Sequence, residues 1–417
     1  MKQSKLFAGK DFFTATGKID TLSAKPLTIA FLGGSLTEGE IDYEGTCLDD
    51  HSLKWTSTVT KFFSGLFPFR KITAIGAGLG GTGSDYGSVR LYRDVLSHQP
   101  DLLFIEFSCN DRVQSLTQWN EENAYIHRLY LESIIRQCME QEKVPSIVYM
   151  HVPLPLDFSS EEFEAYRKSC QAKQELLDYY GIGTIDAMKD LSDEYKEQKK
   201  ANKQLSLDTF FSAFYPRQED GSFNVHPYPL GYMQYHKSIV NAILQNPKKF
   251  LAPFQQQAEP YCQEHPAVLT ERYHYIHASS DRIIYHGDWK LYNKEKPFLC
   301  DNPRLMLKER CFSPISFPSG VMQTEQGQAA TLEFDTEADR ICLPHPSAKG
   351  GLYATVYANG QKLGRITCRS PWHCMNYMGN WIDLPRGKKR IRLEVEPNES
   401  ESGVFRFGYI VEAFQSQ

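Results

Sequence analysis

The patterning of this 417-residue chain changes at Pro247, and that change bounds the fold more tightly than any single motif. Before it, apolar runs of strand length alternate with longer amphipathic stretches. This is the pattern of a parallel sheet covered by helices. Strands are expected at Thr28–Leu32, Lys71–Ile75, Leu102–Phe107, Ser146–His151 and Gly183–Asp186. Helices are expected at Trp55–Leu66, Ser84–Ser97, Glu121–Gln141, Ser160–Tyr180 and Leu230–Leu244. Five parallel strands with helices on both faces is the economical topology. After Pro247 comes a polar stretch with Gln255, Gln256, Gln257 and Pro260, and from about residue 270 the strands are short and divided by turn residues. Asn359-Gly360 between two alternating runs is a strong hairpin signal. The reading is an α/β domain over 1–252, a linker over 253–269 and an antiparallel, jelly-roll-like β-sandwich over 270–417. A chain of this length exceeds one typical core, which agrees with two domains.

Composition narrows the class of partner. The formal net charge is -5 with both signs mixed, so no nucleic-acid partner is expected. No apolar stretch approaches the roughly 18–20 residues of a membrane helix. The start, Met1-Lys2-Gln3, is not followed by a long apolar region, so a cytoplasmic location is expected. The ten cysteines are scattered without a Cys-x-x-Cys pair. They predict reduced thiols and no zinc site, with Cys109 a small buried filler.

Four segments fall at or near the carboxyl edge of the expected sheet, where open α/β folds bind ligands. They are Gly33-Gly34-Ser35-Leu36, Gly76-Ala77-Gly78-Leu79-Gly80-Gly81, Phe107-Ser108-Cys109-Asn110-Asp111 and Asn224-Val225-His226-Pro227. Acyl transfer needs a hydroxyl nucleophile, a base that takes its proton, and donors aimed at the developing oxyanion. Ser35 supplies the nucleophile and His226 the base. The amides of Ser35 and Gly81 and the side chain of Asn110 supply the donors. The glycine segment also matches Gly-x-Gly-x-x-Gly. A dinucleotide site would place an acid at the end of the next strand, whereas Asp101 opens that strand and Glu106 lies inside it.

The four blocks, in this order, resemble the SGNH hydrolases, or GDSL-type esterases and lipases, over residues 28–245. The resemblance implies a flavodoxin-like three-layer α/β/α domain and ester hydrolysis through an acyl-serine intermediate. It implies no metal and no organic cofactor. The stretches Gly78–Arg90 and Asp94–Asn110 look like members that act on carbohydrate esters. The chain departs from the family pattern twice. Gly34 replaces an aspartate before the nucleophile, and Phe223 replaces the aspartate three residues before the histidine. For the orienting acid, Asp220 is the nearest aspartate. The alternative is a Ser–His dyad in which Asn224 or a backbone carbonyl holds the ring.

Other residues take structural readings: Asp111 braces its loop, Glu38 favours the first turn of its helix, Asp186 caps a helix, and Arg90 and His151 are structural. The aromatic segment Trp372, His373, Tyr377 and Trp381 either stacks on sugar rings or packs the sandwich. The sequence predicts an esterase of an acylated, simplest an O-acetylated, carbohydrate. An acyltransferase onto a sugar hydroxyl and a non-catalytic carbohydrate-binding protein are the alternatives.

Overall fold

The computed structural model describes residues 22–38, 53–113, 121–251, 258–264, 266–292, 321–324, 328–347, 351–369, 375–377, 380–396 and 403–415. The chain divides into two units, 1–269 and 270–417.

Five parallel strands form the centre of the first unit: β1 (Leu27–Gly33), β2 (Ile72–Gly78), β3 (Leu102–Glu106), β4 (Ser146–His151) and β5 (Gly183–Asp186). Their order is β2-β1-β3-β4-β5, with β1 and β3 inside the sheet, both mostly apolar and buried apart from the half-buried Thr28 and the buried Glu106. Residues buried on both faces suit such a sheet, because helices cover each side. On one face Phe31, Phe104, Val148 and Met150 meet α2 (Trp55–Leu66) and α9 (Pro229–Gln245) through Trp55, Phe63, Tyr235 and Ile239. Phe31 stacks on Phe104 at 5.3 Å and takes the edge of Trp55 at 5.2 Å. On the other face Ala30, Leu32, Leu103, Ile105 and Tyr149 meet Leu91, Leu131, Ile134 and Leu176. These come from α3 (Ser84–Asp94), α5 (Glu121–Met139) and α6 (Glu161–Tyr179). The remaining helices of the unit are α1 (Ser35–Glu38), α4 (Asn110–Val113), α7 (Ala187–Ala201), α8 (Leu207–Ser212), α10 (Pro247–Leu251) and α11 (Pro266–Leu269).

Two expectations change here. Strand β2 runs on to Gly78 because Gly76 and Gly78 pair in register with Phe31 and Gly33. The glycine turn therefore begins only at Leu79, which leaves Gly76 and Gly78 as strand residues rather than a phosphate loop. A side chain at Gly78 has no room, since its Cβ would lie 2.0 Å from the Glu38 amide nitrogen. Residues 258–264 and 266–269, placed by sequence in a linker, belong to the first unit. Glu132 is fully buried and accepts hydrogen bonds from the amides of Tyr261 and Cys262 and from the Tyr180 hydroxyl.

The second unit is antiparallel throughout its described strands. A five-stranded sheet joins Gln361–Thr367, Tyr353–Ala358, Lys389–Val395, Ala330–Thr336 and Ile284–His286 in that order. A four-stranded sheet joins Ile382–Asp383, Arg340–Cys342, Tyr409–Phe414 and Arg272–His277. Leu332, Phe334, Val356, Ile391, Leu393, Ile341 and Ile410 share one core. The hairpin at Asn359-Gly360 has both residues at positive φ, 48° and 83°, as a two-residue primed turn requires. Trp372 and His373 lie outside the described residues, as does the side chain of Tyr377. Trp381 stacks on Tyr273 at 5.9 Å, and the Arg340 guanidinium covers it at 4.2 Å.

Candidate active site

Strand β1 ends at Gly33, and the chain turns through Gly34 into the short helix α1, of which Ser35 is the first residue. The turn is closed by the Thr37 and Glu38 amides donating to the Gly34 carbonyl. Both glycines are sterically required. A Cβ at Gly33 would lie 2.1 Å from Thr37 Oγ1, and one at Gly34 would lie 2.7 Å from Asn110 Nδ2. A side chain at 34 would therefore have to displace the Asn110 amide.

Ser35 is buried, with its Oγ 2.8 Å from His226 Nε2. His226 precedes α9, on a segment where Pro227 and Pro229 restrict the backbone. Asn224 Oδ1 accepts from the His226 amide at 3.0 Å and lies 3.0 Å from His226 Nδ1. The shared backbone donor identifies this atom as the amide oxygen. An oxygen there can only accept, so Nδ1 carries the hydrogen and Nε2 turns its lone pair to Ser35. The tautomer suits a general base.

Asp220 is not the group on the ring. It is exposed, and its Oδ1 accepts from the Ser222 amide at 2.9 Å and the Ser222 hydroxyl at 2.6 Å. Those bonds hold its carboxyl below the usual carboxylate range. Gly221, at φ 84°, lets this tight turn close on itself. Phe223, at the family's acid position, packs on Phe211 at 5.8 Å, with the Arg217 guanidinium 4.4 Å from its ring centre.

The two donor loops are cross-linked. Asn110 Nδ2 donates to the Thr82 carbonyl at 2.7 Å, which leaves its second hydrogen for a ligand. Glu38 Oε2 accepts the Gly80 amide at 2.8 Å, tying the nucleophile helix to the loop that holds Gly81. Gly81 itself is exposed at φ 73°, a left-handed conformation that favours glycine. Arg90 is fully buried, and its two terminal nitrogens donate to the carbonyls of Ala77 and Gly33, each at 2.8 Å. It braces the end of β2 and the end of β1, which lies two residues before Ser35.

Sequence reading missed the cross-links of Glu38 and Arg90 and the environment of Glu106. Glu106 is buried under α1, where it accepts from Thr37 Oγ1 at 3.2 Å. Burial pushes its carboxyl up to about 7, against the pull of the Cys109 amide and the Thr37 hydroxyl. Cys109 is buried and not in a disulfide. Asp186 caps α7 through the Lys189 amide. His151 is buried on the α6 side of the sheet, beside Tyr149, and burial pushes it down to about 3. It is therefore neutral. Among the described residues no group of three or more His, Cys, Asp or Glu is placed to hold a metal ion, and no helix is long and apolar enough to cross a membrane.

Fold and site together define a class: a three-layer α/β/α domain, with a serine and a histidine hydrogen-bonded at the carboxyl edge of its parallel sheet, and an antiparallel β unit after it. Within that class the chain is similar along nearly its whole length to a two-domain esterase, CEX, active on acetylated mannans. Against the structure of CEX co-crystallised with mannopentaose the TM-score is 0.64 at 15% identity, covering 94% of this chain and 92% of that one. Against CEX alone the TM-score is 0.63 at 16% identity, with the same coverage. Axe2, an acetylxylan esterase from Geobacillus stearothermophilus, matches 52% of this chain and 94% of its own at 15% identity and a TM-score of 0.39. No protein-family model matches the sequence, and no curated protein matches it.

Proposed function

We propose that this protein is a serine esterase that removes acyl groups, in the simplest case acetyl, from a carbohydrate. The observation that carries the proposal is the line from Asn224 Oδ1 through His226 to Ser35 Oγ, with steps of 3.0 and 2.8 Å. Ser35 Oγ attacks the ester carbonyl carbon while His226 Nε2 takes its proton. The carbonyl oxygen becomes an oxyanion, received by the Ser35 and Gly81 amides and the second hydrogen of Asn110 Nδ2. The tetrahedral intermediate collapses, the bond to the sugar oxygen breaks, and His226 returns its proton to that oxygen. Water, deprotonated by the same imidazole, then cleaves the acyl-serine. No step calls on a metal or an organic cofactor. The fold shared with an esterase active on acetylated mannans supports a carbohydrate ester as substrate. A non-catalytic binding protein is the weaker reading, because Asn224 supplies the orientation that Phe223 cannot.

The test is hydrolysis of p-nitrophenyl acetate and acetate release from acetylated mannan, by the wild type and by Ser35→Ala. Wild-type turnover that disappears in Ser35→Ala is expected. Equal rates in the two proteins, or none in either, would sink the proposal.

A further inference from the structure

Asn110 and its neighbour Asp111 reach different partners, and those of Asp111 form a buried charged cluster behind the donor loops. Asp111 Oδ1 accepts the Ser84 amide at 2.8 Å. Ser84 is the first residue of α3, directly after the loop Gly80–Gly83, and the N-cap residue Gly83 has no side chain to cap the helix. Asp111 thus serves as the cap from another strand end. Gly83 is shaped to admit it, since a Cβ there would lie 2.8 Å from Asp111 Oδ1. On the far side, Lys173 Nζ from α6 stands 2.9 Å from Asp111 Oδ2, with both side chains 1% exposed. His127 Nδ1 from α5 stands 3.7 Å from Oδ1. Burial alone would raise the Asp111 carboxyl. Lys173 first, then His127 and the Ser84 amide, outweigh it and hold the group below the usual range.

A buried ion pair is weak evidence for stability, because desolvation offsets much of its attraction. Its place here suggests a geometric task. We infer that Asp111 positions the oxyanion donors, with Lys173 neutralising its buried charge: one carboxylate oxygen pins the start of α3, and with it the Gly81 loop, against Asn110. Two of the three donors belong to the parts it joins. The inference rests on the esterase reading of the site. Asp111 is a positioning residue, since its carboxylate is taken up by the Ser84 amide and Lys173 and is not placed to touch substrate.

The test compares two double variants in the full chain, neither of which leaves a buried charge alone. Asp111→Asn/Lys173→Met keeps an oxygen acceptor for the Ser84 amide, whereas Asp111→Ala/Lys173→Met removes it. The first should keep kcat on p-nitrophenyl acetate within about threefold of wild type. The second should lose about 10- to 100-fold in kcat, with KM within about twofold, a share of what one lost oxyanion donor costs. Ser84→Pro deletes the donor at a helix position that tolerates proline and should lower kcat in the same way. Hydrogen exchange at residues 80–84 should quicken in the alanine pair and not in the asparagine pair. Equal kcat and equal exchange in the two pairs would overturn the inference, as would wild-type kcat in Ser84→Pro. If the wild type shows no Ser35-dependent turnover, the esterase reading fails instead, and the exchange comparison still decides whether Asp111 holds the loop.

Discussion

At the scale of single residues, the group that orients the histidine differs in kind from a carboxylate. The Asn224 amide oxygen fixes the tautomer of His226 but brings no full charge to stabilise the imidazolium formed during attack. Losing a carboxylate from a triad costs about 10⁴-fold in turnover. An uncharged orienting group should be worth less, so Asn224→Ala should lower kcat by about 10- to 100-fold. Asp220→Ala should leave kcat within about twofold, because that side chain only closes its own turn. Steady-state kinetics on one ester checks both. Ser35, Gly81, Asn110 and His226 were legible because each stands in a block with its own glycine, asparagine or proline punctuation. The orienting residue was open between Asp220 and Asn224. An asparagine side chain accepts the backbone N–H two residues on in a local turn, and that turn brings Asn224 Oδ1 to the ring at 226.

At the scale of elements, the site rests on short connections whose partners lie far away in sequence. Strand interiors could be read from apolar runs, and β1, β3, β4 and β5 lie within a residue of expectation at each end. The end of β2 could not, because Gly76-Ala77-Gly78 reads as a turn until its pairing with β1 is known. The cross-links from Glu38 to Gly80 and from Arg90 to Gly33 were hidden for the same reason, since charged residues on a helix carry no local mark of burial. Glu106 has a measurable effect under α1. Its folded carboxyl, at about 7, lies above its ordinary 4.5, so the folded state binds more protons between those values. Its contribution to stability is therefore lost as pH rises from about 4.5 to above 7, a cost of order 3 kcal/mol when complete. Glu106→Gln should remove that dependence. Its melting temperature relative to wild type should rise between pH 5 and pH 8, as a calorimetric series would show.

At the scale of the whole molecule, the switch in patterning near Pro247 marked a change of fold class but not the edge of the first unit. The unit extends to Leu269 because Glu132, fully buried, needs the amides of Tyr261 and Cys262. These donors are distant in sequence, and the polar composition of the segment gave no sign of them. A fragment 1–252 should therefore melt below a fragment 1–269. Losing two amide donors while the Tyr180 hydroxyl remains costs Glu132 about 1–3 kcal/mol, so a gap of a few degrees is expected in paired thermal scans. The hydrogen bond between Ser35 and His226 spans 191 positions of the chain. A ribosome must therefore finish nearly the whole α/β unit before the nucleophile meets its base, and an emerging chain carries a serine with no partner. On the proposed esterase function, competence would arrive in one late event, at the closure of this long loop, so a first turnover would report that the chain has folded at least through His226.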